Sequence, residues 1–136
     1  SYLTKLVSQL ALEDVVTFTG SVTETQLATE YLSAQVFCCL SDHEGFGVPI
    51  LEAMKLGLPV IAYNAAAVPE TLGNAGLLIN NKSPIIVATA IERVITDQNL
   101  SKSMTAAGEQ RAAKFSENYT ASKFFSAINS MGDYEN

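Results

Sequence analysis

Short runs of apolar and β-branched residues alternate along this chain with segments of helical periodicity, and no other feature constrains the fold as tightly. Residues 15–19 (VVTFT) end at Gly20, residues 36–40 (VFCCL) end at a polar loop, residues 58–63 (LPVIAY) end at Asn64, and residues 76–79 (GLLI) make a fourth run. Each is too short for a helix and is bounded by turn formers, which predicts buried strands. Between them the spacing predicts helices over about 1–12, 23–33, 48–56, 84–97, 101–114 and 117–131, with a helical turn at 69–72. Leu3, Leu6, Val7 and Leu10 fall on one face of the first. In 84–97 the apolar positions Ile86, Val87, Ala90, Ile91, Val94 and Ile95 form a stripe suited to packing on a sheet. Strands that alternate with helices imply parallel βαβ units, so the fold class is α/β.

At 136 residues the chain suffices for one domain with a core of its own. Residues 1–131 read as that domain and residues 132–136 as a loose tail. The charged fraction is 16%, and no apolar run reaches the ~18 residues that a membrane span needs. Eight Lys and Arg are scattered singly against a net charge of -6, so a nucleic-acid backbone has no basic stripe to meet. Cys38 and Cys39 are adjacent in the second strand run, where alternation sends their side chains to opposite faces. They are expected as buried free thiols in a reducing compartment. The first dozen residues lack the basic start and cleavage-like end of a signal peptide, and a cytoplasmic location is expected.

The chemistry concentrates in residues 41–57, SDHEGFGVPILEAMKLG, which link a strand end to a helix start. In open α/β sheets, ligands gather at the carboxyl ends of strands, and a helix N-terminus offers unpaired N–H groups with partial positive charge. Gly45 and Gly47 allow close approach to the backbone, and Pro49 presets the first helical turn. A diphosphate fits such a site. Glu52 stands about one turn above the helix start, where its value lies in accepting hydrogen bonds from paired hydroxyls such as those of a ribose. By the same logic Glu44 accepts from hydroxyls of a second sugar. The two glutamates also suit an ordinary amphipathic helix, and spacing alone does not separate the readings. Lys55 is the one cation near this stretch in sequence and reads as a solvated surface residue. His43, the single histidine, reads as a loop side chain, and Tyr63 and Phe46 read as packing residues. Glu70 caps a helix or lines the site, with the structural role favoured. Asn64 to Ala67 lies at a strand end where a sugar can lean on the backbone.

Within this stretch EGFGVPILEAMKLGLPVIA resembles the E-x7-E signature of retaining GT-B-fold glycosyltransferases of family 4. VTFTGSV before it is similar to that family's V-x-F-x-G-x-V strand and turn, and VPETLGNAGLLI after it to the family's PE and G-x-A-G-L-L segments. The resemblance covers nearly the whole chain. It implies a partial Rossmann-like parallel sheet flanked by helices, half of a GT-B C-terminal domain, that binds a nucleotide-diphosphate sugar as donor. It assigns Glu44 to the donor sugar as the catalytic position and Glu52 to the ribose. Gly47, Val48 and Pro49 go to the diphosphate cradle, Gly45 and Phe46 to the donor-binding stretch just before it, and the turn at Gly20, Ser21 and Val22 to the flank of the nucleobase. Retention at the anomeric carbon follows, with no metal or other cofactor.

The family also brings an Arg and a Lys from an earlier βα unit, for which no counterpart is visible. An N-terminally truncated chain, inactive alone and partnered by an acceptor-binding domain of a longer parent, is therefore expected. Residues 15–19 would then lack their usual neighbours, so this strand is expected to pair with residues 36–40 directly or with another copy of the chain. A non-catalytic nucleotide- or sugar-binding module and a GT-B nucleotide-sugar epimerase are the competing classes, and the E-G-F-G-V-P arrangement favours the transferase.

Overall fold

The computed structural model describes residues 1–42 and 48–115. In chain order it contains α1 (Tyr2–Gln9), α2 (Glu24–Ser33), β1 (Phe37–Cys39), α3 (Val48–Lys55), β2 (Val60–Tyr63), α4 (Val68–Leu72), β3 (Leu77–Ile79), α5 (Pro84–Thr96) and α6 (Gln98–Ala113). The strands form one parallel sheet in the order β1-β2-β3. Phe37 pairs with Val60 and Cys39 with Ala62, while Ile61 pairs with Leu77 and Tyr63 with Ile79. The expected helix over 117–131 lies outside the described residues. No described helix is long and apolar enough to cross a membrane.

The central strand organises two layers of core. Val60, Ile61 and Ala62 have no exposed surface, and their side chains alternate between the faces of the sheet. Val60 and Ala62 join Ile50, Ala53, Met54, Val68 and Leu72 on one face, whereas Ile61 joins Ile79, Val94 and Met104 on the other. Cys39 and Cys38 divide in the same way, as alternation predicts. Neither thiol forms a disulfide, and both are half-buried rather than buried, as β1 is paired only with β2 among the described residues. In α5 the stripe against the sheet is Val87, Ala90, Ile91 and Val94. Ile86 and Ile95, expected on that stripe, are instead exposed at its margins.

Local sequence sets the helix ends. Thr23 and Gln26 close a capping box on α2: the Thr23 hydroxyl accepts from the Gln26 N–H at 3.1 Å, and the Gln26 side chain accepts from the Thr23 N–H at 2.8 Å. At the far end of α3, Gly57 adopts φ 78°, the Leu58 N–H donates to the Ala53 carbonyl at 3.0 Å, and the Gly57 N–H donates to that of Met54 at 3.1 Å. This is a Schellman closure, which turns the chain back into β2. The Thr105 hydroxyl donates to the Gly57 carbonyl at 3.0 Å, tying α6 to the same corner.

The strand expected over residues 15–19 does not form, and its direct pairing with residues 36–40 is absent. Val15 is 75% exposed and Phe18 54% exposed. A strand is held by its neighbours' N–H and C=O groups, and among the described residues no strand pairs with this segment, so β propensity alone leaves it irregular. Nor does α1 bury any residue, although Leu3 and Leu10 share its apolar face.

Close contact between β2 and the start of β3 gives a stability prediction. A Cβ on Gly76 would lie 2.6 Å from the Leu72 Cδ1 and 2.7 Å from the Val60 carbonyl oxygen. Gly76→Ala should destabilise the fold by about 1–3 kcal/mol through overpacking against backbone. Gly20→Ala, at φ 63° with nothing within 4 Å of the new methyl, should cost only the ~1 kcal/mol of a left-handed alanine. Urea denaturation of the two variants separates them; equal midpoints would refute the packing account.

Candidate functional site

The three strands deliver polar residues to their common carboxyl edge, where the ladder hydrogen bonds end and loops must supply partners. After β1 come Leu40, Ser41 and Asp42; after β2, Asn64; after β3, Asn80, Asn81 and Lys82. The Lys82 ammonium donates to the Leu40 carbonyl at 3.1 Å and to the Asp42 carboxylate at 2.7 Å, and sits 4.4 Å from the centroid of the Tyr63 ring. Asn64 bridges to β3 twice, through its backbone N–H to the Ile79 carbonyl and its side-chain amide to Asn80, both at 2.8 Å. Asn81 accepts from the Ser83 N–H at 2.8 Å as α5 begins.

Beside this edge lies α3. Its first turn holds no acidic residue, so nothing there offsets the positive end of the helix dipole, and Lys55 complements the negative end in the last turn. Glu52 stands about one turn along and is 7% exposed. Removal from water is the main cause that pushes its carboxyl up to about 7; the Tyr31 hydroxyl, which bonds to it, pulls the other way, and the charge of Glu24 raises it again. Tyr31 is itself fixed, buried and stacked on Phe37 with ring centroids 5.5 Å apart and planes 15° apart. Its hydroxyl also reaches the Pro49 carbonyl at 3.5 Å, the outer limit of a hydrogen bond.

Of the residues singled out in the sequence, Val48 and Pro49 open α3 and Glu52 lies in it. Gly20, with φ 63°, Ser21 and Val22 form the exposed turn before α2. That turn leads directly into Glu24, whose charge Glu52 feels, so the start of α2 and the body of α3 share one side of the sheet. His43, Glu44, Gly45, Phe46 and Gly47 lie outside the described residues. Glu70 is exposed in the first turn of α4. Its backbone carbonyl accepts from the Arg111 guanidinium, and the same guanidinium donates to the Thr71 carbonyl at 3.2 Å, a structural tie between α4 and α6.

Two residues here were not singled out by sequence. Lys55 is exposed, as expected, yet it is not the sole cation near the 41–57 stretch: Lys82 reaches Asp42 from 40 positions away because β3 returns its loop to the same sheet edge. A lysine directly after a strand run was the available signal. For Tyr31 the signal was its place on the inward face of a short helix before a strand. Tyr63, expected as plain packing, lies under the Lys82 ammonium.

A parallel sheet covered by helices on both faces, with its polar cluster at the carboxyl edge, is the architecture of a GT-B donor domain. The structure is similar to sucrose-phosphate synthase from Thermosynechococcus elongatus, with a TM-score of 0.73 and 28% identity over 98% of this chain and 33% of that one. It is also similar to the C-terminal domain of a glycosyl transferase group 1 family protein from Francisella tularensis, with a TM-score of 0.68 and 28% identity over 82% of this chain and 59% of that one. The profile of the glycosyl transferases group 1 family matches residues 1–111, and the chain belongs to that family. Among curated relatives, O-antigen chain mannosyltransferase B of Escherichia coli is 35% identical over 87% of this chain and 31% of its own length. A GDP-mannose-dependent α-(1-6)-phosphatidylinositol monomannoside mannosyltransferase of Mycobacterium tuberculosis is 36% identical over 79% of this chain and 30% of its own. The chain thus spans about a third of the length of these relatives.

The Glu52 environment sets a pH dependence. Unfolded, this carboxyl titrates near 4.5; folded, it titrates at about 7. Between those values the folded chain holds a proton that the unfolded chain has lost, so this contribution is complete below about 4.5 and is lost as pH rises through about 7. Glu52→Gln keeps the shape without the charge, and its stability relative to wild type should grow from pH 5 to 8, toward a limit of about 3 kcal/mol. Tyr31→Phe should move the Glu52 carboxyl higher still, as read by carboxyl-carbon NMR titration. Parallel stability curves for wild type and Glu52→Gln would contradict the assignment.

Proposed function

We propose that this chain is the donor-binding unit of a retaining glycosyltransferase that takes a nucleoside-diphosphate sugar. The observation that carries the reading is the buried Glu52 carboxyl on α3. From Pro49 to Glu52 the rise along the helix is about 4.5 Å, which suits a diphosphate at the head of α3 with a ribose beside its second turn. A carboxyl kept from water and close to neutrality is costly to keep as structure alone. Ribose hydroxyls that donate to it stabilise the charged form and relieve that cost on binding.

The remaining roles follow the family resemblance. Glu44 meets the transferred sugar; Gly47, Val48 and Pro49 cradle the diphosphate, with Gly45 and Phe46 in the donor-binding stretch before them; Gly20, Ser21 and Val22 flank the base. In the intact enzyme the bond from the anomeric carbon to the phosphate oxygen breaks, and its electron pair leaves with the diphosphate. The acceptor hydroxyl oxygen bonds to the same face of the sugar, and its proton passes to the departing phosphate oxygen. Charge that develops on the diphosphate is met by the amides and dipole of α3 without a metal ion. The relatives named as mannosyltransferases, one of them GDP-mannose-dependent, make GDP-mannose the first donor to test.

Calorimetric titration of the chain with GDP, UDP, ADP and GDP-mannose provides the test. Glu52→Gln should weaken nucleotide binding roughly 10- to 100-fold, the loss of hydrogen bonds to a charged acceptor. Glu44→Ala should weaken GDP-mannose while leaving GDP unchanged. Because binding favours the ionised Glu52, affinity should rise with pH through about 7, and buffers of different ionisation enthalpy should report proton release. Unaltered nucleotide binding by Glu52→Gln would remove Glu52 from the donor site.

A further inference from the structure

We propose that Lys82 is a positioning residue for the donor site, holding the carboxyl end of β1 in the place from which the chain enters α3. This inference rests on the donor-site reading of α3. The edge strand β1 is three residues long, and its ladder partner is β2. Past Cys39 the ladder stops, so the Leu40 carbonyl needs a donor from elsewhere. Lys82 supplies it at 3.1 Å, and the same ammonium takes the Asp42 carboxylate at 2.7 Å.

The geometry is demanding. In the order β1-β2-β3, the loop after β3 is two strand spacings from β1, roughly 10 Å. A long side chain is required, and it crosses β2 by lying on the Tyr63 ring with the ammonium 4.4 Å from the centroid. Thus one cation touches the first residues beyond β1 and the last residue of β2 from the loop after β3. Asn64 and Asn80 repeat the tie between β2 and β3 alongside it.

The value of this arrangement is in place rather than stability. The Lys82 and Asp42 side chains are 34% and 61% exposed, and pairs of that kind contribute little to folding. What they fix is where Asp42 stands relative to the sheet, six positions before α3 begins at Val48. Small displacements of a binding group carry large penalties in affinity and rate. Lys82 is also neutralised by Asp42, which argues for an anchoring role rather than for a free counter-charge.

The test compares wild type, Lys82→Met, Lys82→Arg and Asp42→Asn by NMR titration with GDP, UDP and ADP, with amide exchange at Leu40, Ser41 and Asp42 followed in the absence of nucleotide. Lys82→Met should weaken nucleotide binding about tenfold, speed exchange at those three amides and leave the thermal midpoint within a few degrees of wild type. Lys82→Arg, which keeps the charge, the donors and the ring contact, should recover most of the affinity and the protection; Asp42→Asn should fall between. If Lys82→Met binds nucleotide like wild type, the proposal is overturned and the donor-site reading stands. Failure of Lys82→Arg to recover, or a fall in global stability that accounts for the lost affinity, overturns it likewise. Should wild type itself bind none of the three nucleotides, the donor-site reading falls and takes the proposal with it.

Discussion

The burial of β2 on both faces is the constraint on which the rest of the structure depends. Val60, Ile61 and Ala62 lose all contact with water, so apolar cover is needed above and below a ribbon four residues long. Helix α3, α4 and the end of α6 supply one cover; α5 and the start of α6 supply the other. A strand enclosed this way has one place left for polar groups, its ends. The loops at the carboxyl edge accordingly carry Asp42, Asn64, Asn80, Asn81 and Lys82, whose hydrogen bonds begin where the ladder ceases.

The edge and the adjoining helix treat charge in opposite ways. Lys82 remains about a third exposed, and its ammonium is met by a carboxylate, a carbonyl and an aromatic face. Glu52 is taken out of water with a second acid nearby, which favours its neutral form, and the tyrosine hydroxyl that bonds to it opposes this only in part. A domain selected for stability alone would place leucine or methionine there. That a carboxyl occupies the position is the kind of local cost that functional sites carry, and it sits one helical turn from the amides that suit an anion.

Much of the fold was legible because periodicity and turn chemistry are local. The helices α2, α3, α5 and α6 and the three paired strands lie where alternation, caps and Gly57 place them, and the opposite faces of Cys38 and Cys39 follow from the pleat. The run at residues 15–19 reads as strongly β and yet is irregular, since a strand exists only through its neighbours and composition cannot say whether they are present. Ile86 and Ile95 fail for a related reason: a helical stripe read from sequence is wider than the strip that the sheet covers. In the site, the E-x7-E stretch was legible as a motif, whereas the contacts of Lys82 and Tyr31 were not, for both are made across dozens of positions or between separate elements.

By itself the sequence determined the α/β class, the order of the elements and the strand-to-helix stretch that carries the family resemblance, because these rest on patterns within a few residues of one another. Only the tertiary structure decided that Glu52 is buried against Tyr31, that its carboxyl is pushed toward neutrality, and that a lysine after β3 grips the residues after β1. Burial and electrostatics are sums over everything close in space. Closeness in space is set by how the parallel crossovers return each strand to the same edge, a property of the folded chain and of no segment within it.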